Sequence, residues 1–309
     1  MSQLSNPYPS SLYKSEDIQL FIKVRVGILT LELPHRNTTM STTMKPDLHQ
    51  ILTPTLLTKV HELQYPWPKG STLNFSHVGY HLHTGEYDHD DDWKAACLES
   101  AIRPILTIGV DNLPTDLLQF LPPPESPDFP LLCSGLILLF DQASSHLFEG
   151  TERVQAKRFF QPLALHLCRQ CLSLPADLRP WRLERWLKNG WSFEHAVARQ
   201  FFLYTPFLHS IDIDDQAMQH GLIENYRVAV ETELGIIDPG RMTAGSVAHD
   251  PTLFMKVHRA GPPQGEAVKM EDYVFWVARK ANCLLTRTRD MALQKRRAEE
   301  QDKSSASKT

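Results

Sequence analysis

The chain has 309 residues, 42% of them hydrophobic, with a formal net charge of −4 and five cysteines. That length suffices for a full buried core, arranged as one large domain or two small ones. The near-neutral balance excludes a global basic field, so a nucleic acid would have to meet a local patch, and the few thiols, with no secretory leader, point to reduced cysteines in a cytoplasmic setting.

Residues 1–45 read as an extension, and the first 39 or so share no pattern with the rest. Within them, 18–33 (IQLFIKVRVGILTLEL) reads as a β-prone run whose interrupting charges and short length argue against a membrane span, and NTTMSTTM is of low complexity. This extension is expected to be disordered, or an artefact of the start site with Met40 or Met44 as the true start. A helical domain is expected over 46–290, with N-terminal helices over 46–120, a strongly patterned core over 128–290 and a charged, solvated tail over 291–309.

DLHQILTPTLLTKVHELQ has helical spacing, and YPWPKG closes it. In HVGYHLHTGEYDHDDDW, His77, His81, His83 and His89 stand among Glu86, Asp88 and Asp90 to Asp92. Histidine and carboxylate are ligands of zinc and non-haem iron, and His-x-His places both rings on one face of a strand. With no HExxH and no closed ligand set, the alternative is a solvated acidic loop that caps a helix beginning near Trp93, and no metal is expected. Lys94 to Ile108 reads as helix stopped by Gly109, and LPPPESPDFP, over 121–130, as a stiff polyproline-like connector.

The patterned remainder starts with LLCSGLILLFDQ, apolar on almost all sides and therefore a buried helix. It delivers Asp141 and Gln142 at its end, where they must either fix a turn or line a pocket. Gly150 and Thr151 read as a stop and a cap. The helix 152–172 carries Phe159, Phe160, Leu163, Leu167 and Cys171 on one face, with a bend at Pro162. Cys168-x-x-Cys171 lies in that apolar run with no second pair, which favours a helix face over a zinc or redox pair. In LPADLRPWRLERWLKNGWSF, Arg179, Arg182, Arg185 and Lys188 alternate with Trp181, Trp186 and Trp191. Such a stretch either grips phosphate and stacks bases, or is an amphipathic helix with tryptophans inward and arginines in water.

Ser192 caps FEHAVARQFFLY, which Thr205-Pro206 is expected to close, because a proline disfavours helix in the residue before it. Asp212 or Ser210 then caps a further helix, gathering Asp212, Asp214 and Asp215 at its start beside His209 and Tyr204. The helix dipole alone accounts for carboxylates there, and His209 reads first as a satisfied core histidine and second as a catalyst. Ala217 to Leu234 continue as helix, GIIDPG ends it, 240–270 is a loop-rich insert, and Glu271 to Leu285 form a last apolar-faced helix. Every strong periodicity over 128–290 is 3.6, so the expected fold class is all-α, an antiparallel helical array.

The succession LILLFDQ, LFEGTERV, a long helix and RQFFLYTPFLHSIDIDDQ resembles an uncharacterised bacterial and fungal family of tetratricopeptide-like helical fold. Its pattern is LILLLDQFPRN, a GT turn and RxFLYMPFxHSExLxDQ, and the likeness spans residues 128–235. The chain departs from it at Ser144, Ser145 and His146, where Pro-Arg-Asn is usual, and at Ile211, where Glu is usual. Its C-terminal helix also lacks the usual histidine and FGRxPxRN ending. The fungal branch is similar to the arginine-containing cyclodipeptide synthases of secondary metabolism, which condense arginine and a second amino acid from aminoacyl-tRNAs. Of their Asp-Asp-x-x-Glu signature, Asp214 and Asp215 match the first two positions. Met218 stands at the last, and Glu224 lies about two helical turns further on.

The resemblance implies a tetratricopeptide-like α-α superhelix and a cyclodipeptide synthase with arginyl-tRNA and a second aminoacyl-tRNA as substrates. Both amino acids arrive as activated esters, so no cofactor, metal or membrane is expected. Chemistry suited to that activity puts Asp214 or Asp215 on the guanidinium or α-ammonium group and His209 or Tyr204 in proton transfer. Asp141 and Gln142 orient the intermediate, Asp212 and Gln216 complete the substrate site, and Arg182 and Arg185 meet tRNA phosphates. Two other readings stand beside it: a non-catalytic helical module that presents a groove to a partner peptide, and a metal-dependent hydrolase built on the histidines of 77–92.

Overall fold

Apolar residues at helical spacing dominate the chain from Pro54 on, and the computed structural model describes residues 47–84, 90–210, 212–241 and 253–306 as all-α, with no strand among them. The N-terminal extension with its β-prone run, Glu86, Asp88, His89, Ile211 and residues 242–252 of the insert lie outside the described residues.

Helix α1 (Pro54–Gln64) starts where the Thr53 hydroxyl accepts the Leu56 amide at 3.3 Å, with Pro54 at the position whose N–H has no helical partner in any case. Helix α2 (Phe75–Thr84) occupies the ground where a strand was expected for His-x-His. Phe75, Val78 and Leu82 are buried at three- and four-residue spacing, so the period there is helical, and His81 and His83 do not share a face as they would on a strand. The helical segments Asp90–Trp93, Lys94–Ile102 and Arg103–Ile108 follow, the middle one π-helical. Asp90 to Asp92 thus lie in the first turn rather than in a capping loop. Gly109, at φ +78°, ends the run.

Helix α3 (Phe129–Leu138) is buried along almost its whole length and packs on α1. The two backbones approach so closely that a Cβ on Gly135 would strike the Leu57 carbonyl. The helix runs on into a π-helical turn, Leu139–Ala143, which carries Asp141. In α4 (Gly150–Ser173), Glu149 holds the cap position without a side-chain bond, so Thr151 is a first-turn residue and not the cap. Cys168 and Cys171 are buried on its inner face, with the Cys171 sulfur 3.5 Å from that of Cys133 on α3.

Helix α5 (Leu183–Lys188) buries Trp186, and α6 (Phe193–Gln200) is capped by the Ser192 hydroxyl on the His195 amide at 3.3 Å. Pro206 does not close that helix. The chain turns through the 3-10 segment Phe201–Leu203, and Pro206 sits in the first turn of α7 (Thr205–His209), where proline fits. Asp212 caps α8 (Ile213–Leu234), accepting the Asp214 amide at 2.9 Å, and Gly235, at φ +66°, stops it. Helices α9 (Leu253–Ala260) and α10 (Met270–Ala306) complete the array. Helix α10 packs on α8 and runs on through residues expected as a solvated tail. No described helix is long and apolar enough to cross a membrane.

Candidate functional site

Three devices bring polar groups into the apolar interior. The π-helical turn after α3 presents Asp141, the start of α7 presents Thr205, and the end of α7 presents His209. Asp141 is fully buried, and a buried carboxylate must be satisfied. His209 Nδ1 donates to Asp141 Oδ1 at 2.7 Å, the Thr205 hydroxyl donates to Oδ2 at 2.8 Å, and the Gln142 amide donates to Oδ2 as well. Burial by itself pushes the Asp141 carboxyl up, but the His209 charge and the hydrogen bonds from His209, Thr205 and Gln142 outweigh it and hold the group below its usual range. His209 keeps 19% of its side chain exposed, so the pair runs from a dry carboxylate to a ring at the surface.

His146 lies within electrostatic reach of the same carboxylate. Burial first, then the charges of Arg153 and Lys157, lower its pKa to about 4 against an opposing pull from Asp141, so it is neutral near pH 7.

A second cluster borders the first across the α7–α8 corner. Arg169 on α4 grips Asp215 with both sides of its fork, Nε to Oδ1 at 3.1 Å and one terminal nitrogen to Oδ2 at 2.6 Å. The Ser210 hydroxyl donates to Oδ2, and Gln216 turns back to donate to the Ser210 carbonyl at 2.8 Å. Asp212 stands 3.9 Å from Arg169. Asp214 is exposed at the same helix start.

The structure therefore divides the residues expected to converge. It joins His209 to Asp141 and Gln142, and it joins Asp215 to Arg169, Ser210 and, at longer range, Asp212. Tyr204 belongs to neither set: its hydroxyl donates to Gln200 Oε1 at 2.7 Å, and burial pushes the phenol well above its ordinary value, so it keeps its proton. Glu224 is bound into another network, with Arg227 and Arg241, while Arg227 also takes Asp238 at 3.0 Å. Those pairs tie residues 238–241 onto α8.

The basic-aromatic stretch follows neither sequence reading in full. Trp181 and Trp186 point inward as an amphipathic helix requires, but Arg185 is not in water. It donates to the carbonyls of Leu178, Pro124 and Ser126, the last at 3.0 Å, and so clamps the proline-rich connector. Arg182 is exposed and pairs with Glu184 at 3.0 Å. Of the two, only Arg182 is open to a phosphate.

Of the α2 histidines, His77 is exposed, while His81 and His83 are consumed by packing. His81 bonds the Gln64 carbonyl at 3.1 Å, and His83 bonds the Tyr273 hydroxyl at 3.2 Å among Phe201 and Trp276. Among the described residues no group of three or more His, Cys, Asp or Glu side chains is arranged to hold a metal ion.

Thr205, Arg169 and His146 are site residues that sequence reasoning did not select. Thr205 had a signal in being a hydroxyl directly before a proline, next to a histidine-bearing turn. Arg169 is a lone cation between two buried cysteines of an apolar run, a position that asks for an anionic partner. Compared with protein-family models, with curated proteins and with solved structures, the chain matches none of them.

Proposed function

We propose that this chain is an aminoacyl-transferring enzyme that joins arginine to a second amino acid as a cyclic dipeptide, drawing both from aminoacyl-tRNAs. In each of its two amide-forming steps an α-amine attacks an ester carbonyl. A C–N bond forms, the C–O bond to the tRNA ribose breaks, and the amine proton leaves as the ribose oxygen is protonated. A general base that passes this proton on, in a site where the reactants are held in register, is the minimum such chemistry needs.

The observation that carries the reading is the 2.7 Å contact of His209 with the fully buried Asp141. A carboxylate on Nδ1 fixes the tautomer and orientation of the ring, so proton transfer falls to Nε2, and the developing imidazolium is stabilised from behind. The carboxylates of Asp212 and Asp214 at the α8 start are the groups assigned to the substrate guanidinium, since Asp215 is taken by Arg169. Arg182 and Lys188, both exposed, are the cations assigned to tRNA phosphate.

Mass spectrometry of small molecules from a host expressing the chain tests the proposal. The expected result is an arginine-containing cyclic dipeptide that disappears with His209→Asn and falls with Asp214→Asn, both variants folding normally. A host that makes no such product with the wild-type chain, or one in which folded His209→Asn makes as much as wild type, overturns it.

A further inference from the structure

A groove of about 500 Å³ lies beside α1 and the proline-rich turn after it, away from the Asp141 and His209 pair in its lining residues. Leu63, Tyr65, Trp67, Leu131 and Trp191 make its walls mostly apolar, Arg199 forms part of its lining, and the exposed side chains of Lys59, Glu62, Lys69 and Asp92 also border it. A second recess of about 280 Å³ shares Lys69, Leu131 and Trp191 with it.

Arg199 is the unusual group. It is 1% exposed, among the largest fully buried side chains described. Its guanidinium lies 3.9 Å from the Trp191 ring centroid and 5.5 Å from that of Tyr65. Its terminal nitrogens donate to His195 Nδ1 at 2.9 Å, to the His195 carbonyl at 3.2 Å and to the Trp67 carbonyl at 2.9 Å. All these acceptors are neutral, and the buried Nε finds no partner among the described residues. Burial pulls the Arg199 pKa down to about 10, and the only group opposing that is Tyr65.

The contrast with Arg169 is direct. Arg169 presents the edge made by Nε and one terminal nitrogen to Asp215, which fills it with two oxygens. On Arg199 the same edge has no carboxylate, although this arginine is far more buried and so has more to gain from one. Guanidinium is the side chain best matched to a planar or tetrahedral oxyanion, because two parallel donors meet two oxygens. Lys69, exposed and shared by both recesses, adds a second cation at the rim, where its ammonium also lies 5.7 Å from the Trp191 ring centroid.

We propose that this groove is a binding site for a small amphipathic oxyanion, a carboxylate or phosphate monoester on an apolar, ring-sized body, with Arg199 taking the anionic group and Tyr65, Trp67 and Trp191 enclosing the body. The volume suits such a molecule, and mostly apolar walls with a few convergent polar groups are the usual make-up of small-molecule sites. The site is independent of the transfer chemistry proposed above.

The test is titration of the purified full chain with phenylacetate, phenyl phosphate and the neutral isostere phenylacetamide, followed by tryptophan fluorescence and thermal shift. At least one anion is expected to bind saturably and at least tenfold more tightly than phenylacetamide, with affinity falling as salt is raised. Which of the two binds identifies the source as carboxylate or phosphate. Arg199→Gln is expected to abolish the preference for charge. Because that variant removes a buried cation and its folding is at risk, Lys69→Gln on the exposed rim is the second probe, expected to weaken the anion severalfold and leave phenylacetamide unchanged. His209→Asn is expected to bind as wild type does. Anions that bind no better than phenylacetamide, or a folded Lys69→Gln that binds them as tightly as wild type, overturn the inference.

Discussion

Arg169 and Asp215 form a two-point ion pair that joins the C-terminal end of one long helix to the first turn of another, with the carboxylate buried and the guanidinium half in water. Asp215 thus has an internal guanidinium partner and is not a vacant receptor for one. Because Arg169 is half exposed, solvent screens much of the attraction. A double-mutant cycle with Arg169→Gln and Asp215→Asn, read by urea unfolding, is expected to give a coupling of about 1 kcal/mol. A coupling near zero would mean that the pair is a surface contact without structural weight.

Asp141 carries a pH dependence whose sign follows from its depressed acidity. In the unfolded chain its carboxyl titrates near the ordinary value of about 3.9. In the folded chain it titrates lower, despite burial, because of His209, Thr205 and Gln142. The stability it contributes is therefore complete above about pH 4 and is lost as pH falls through the folded value. Asp141→Asn is expected to cost about 1–3 kcal/mol at neutral pH, through mispaired donors, and to flatten the loss of stability in acid. Chemical denaturation of both proteins between neutral and acid pH measures this.

Arg182 and Arg185 are three positions apart and are expected to behave in opposite ways. Arg185→Met removes donors from three carbonyls and is expected to cost about 2 kcal/mol. Arg182→Glu, at an exposed site, is expected to change stability by no more than about 0.5 kcal/mol. Under the transfer reading, Arg182→Glu is also expected to lower the salt slope of tRNA binding by about 0.9 for each phosphate the side chain no longer neutralises. Thermal melts and a salt titration separate the two residues.

Cys97, Cys133 and Cys168 are held as thiols in apolar surroundings. Burial pushes Cys97 up to about 12, and burial followed by neighbouring groups raises Cys133 and Cys168 well above the ordinary value. Since the thiolate is the reactive form, these three are expected to resist iodoacetamide in the folded protein near pH 8 and to alkylate fully in urea. Peptide mass spectrometry reads the outcome site by site, and rapid labelling of native Cys133 would contradict the burial described.

Much of the helical layout was legible because its signals are local. Ser192 and Asp212 as caps, Gly109 and Gly235 as stops, and the all-round apolar character of α3 each depend on a few neighbouring residues. The misreadings came from choosing between two local rules. Pro206 restricts the residue before it but also suits a first helical turn, and here the second rule governs. His81 and His83 suggested a two-residue period, while Phe75, Val78 and Leu82 carried the helical one and decided the matter by burial. The site was legible in its members and not in its pairings. Asp141, His209 and Asp215 stand out in sequence, but beyond the neighbours Gln142 and Ser210 their partners lie 46 to 68 positions away and are fixed by how α3, α4, α7 and α8 pack. No spacing rule reaches across such a distance.

The near-contact of α1 and α3 at Gly135 bears on motion. With a backbone carbonyl where a side chain would otherwise stand, neither helix can roll or slide against its neighbour without a clash, since interiors packed this tightly move between discrete arrangements and do not deform smoothly. The pair is thus a fixed frame.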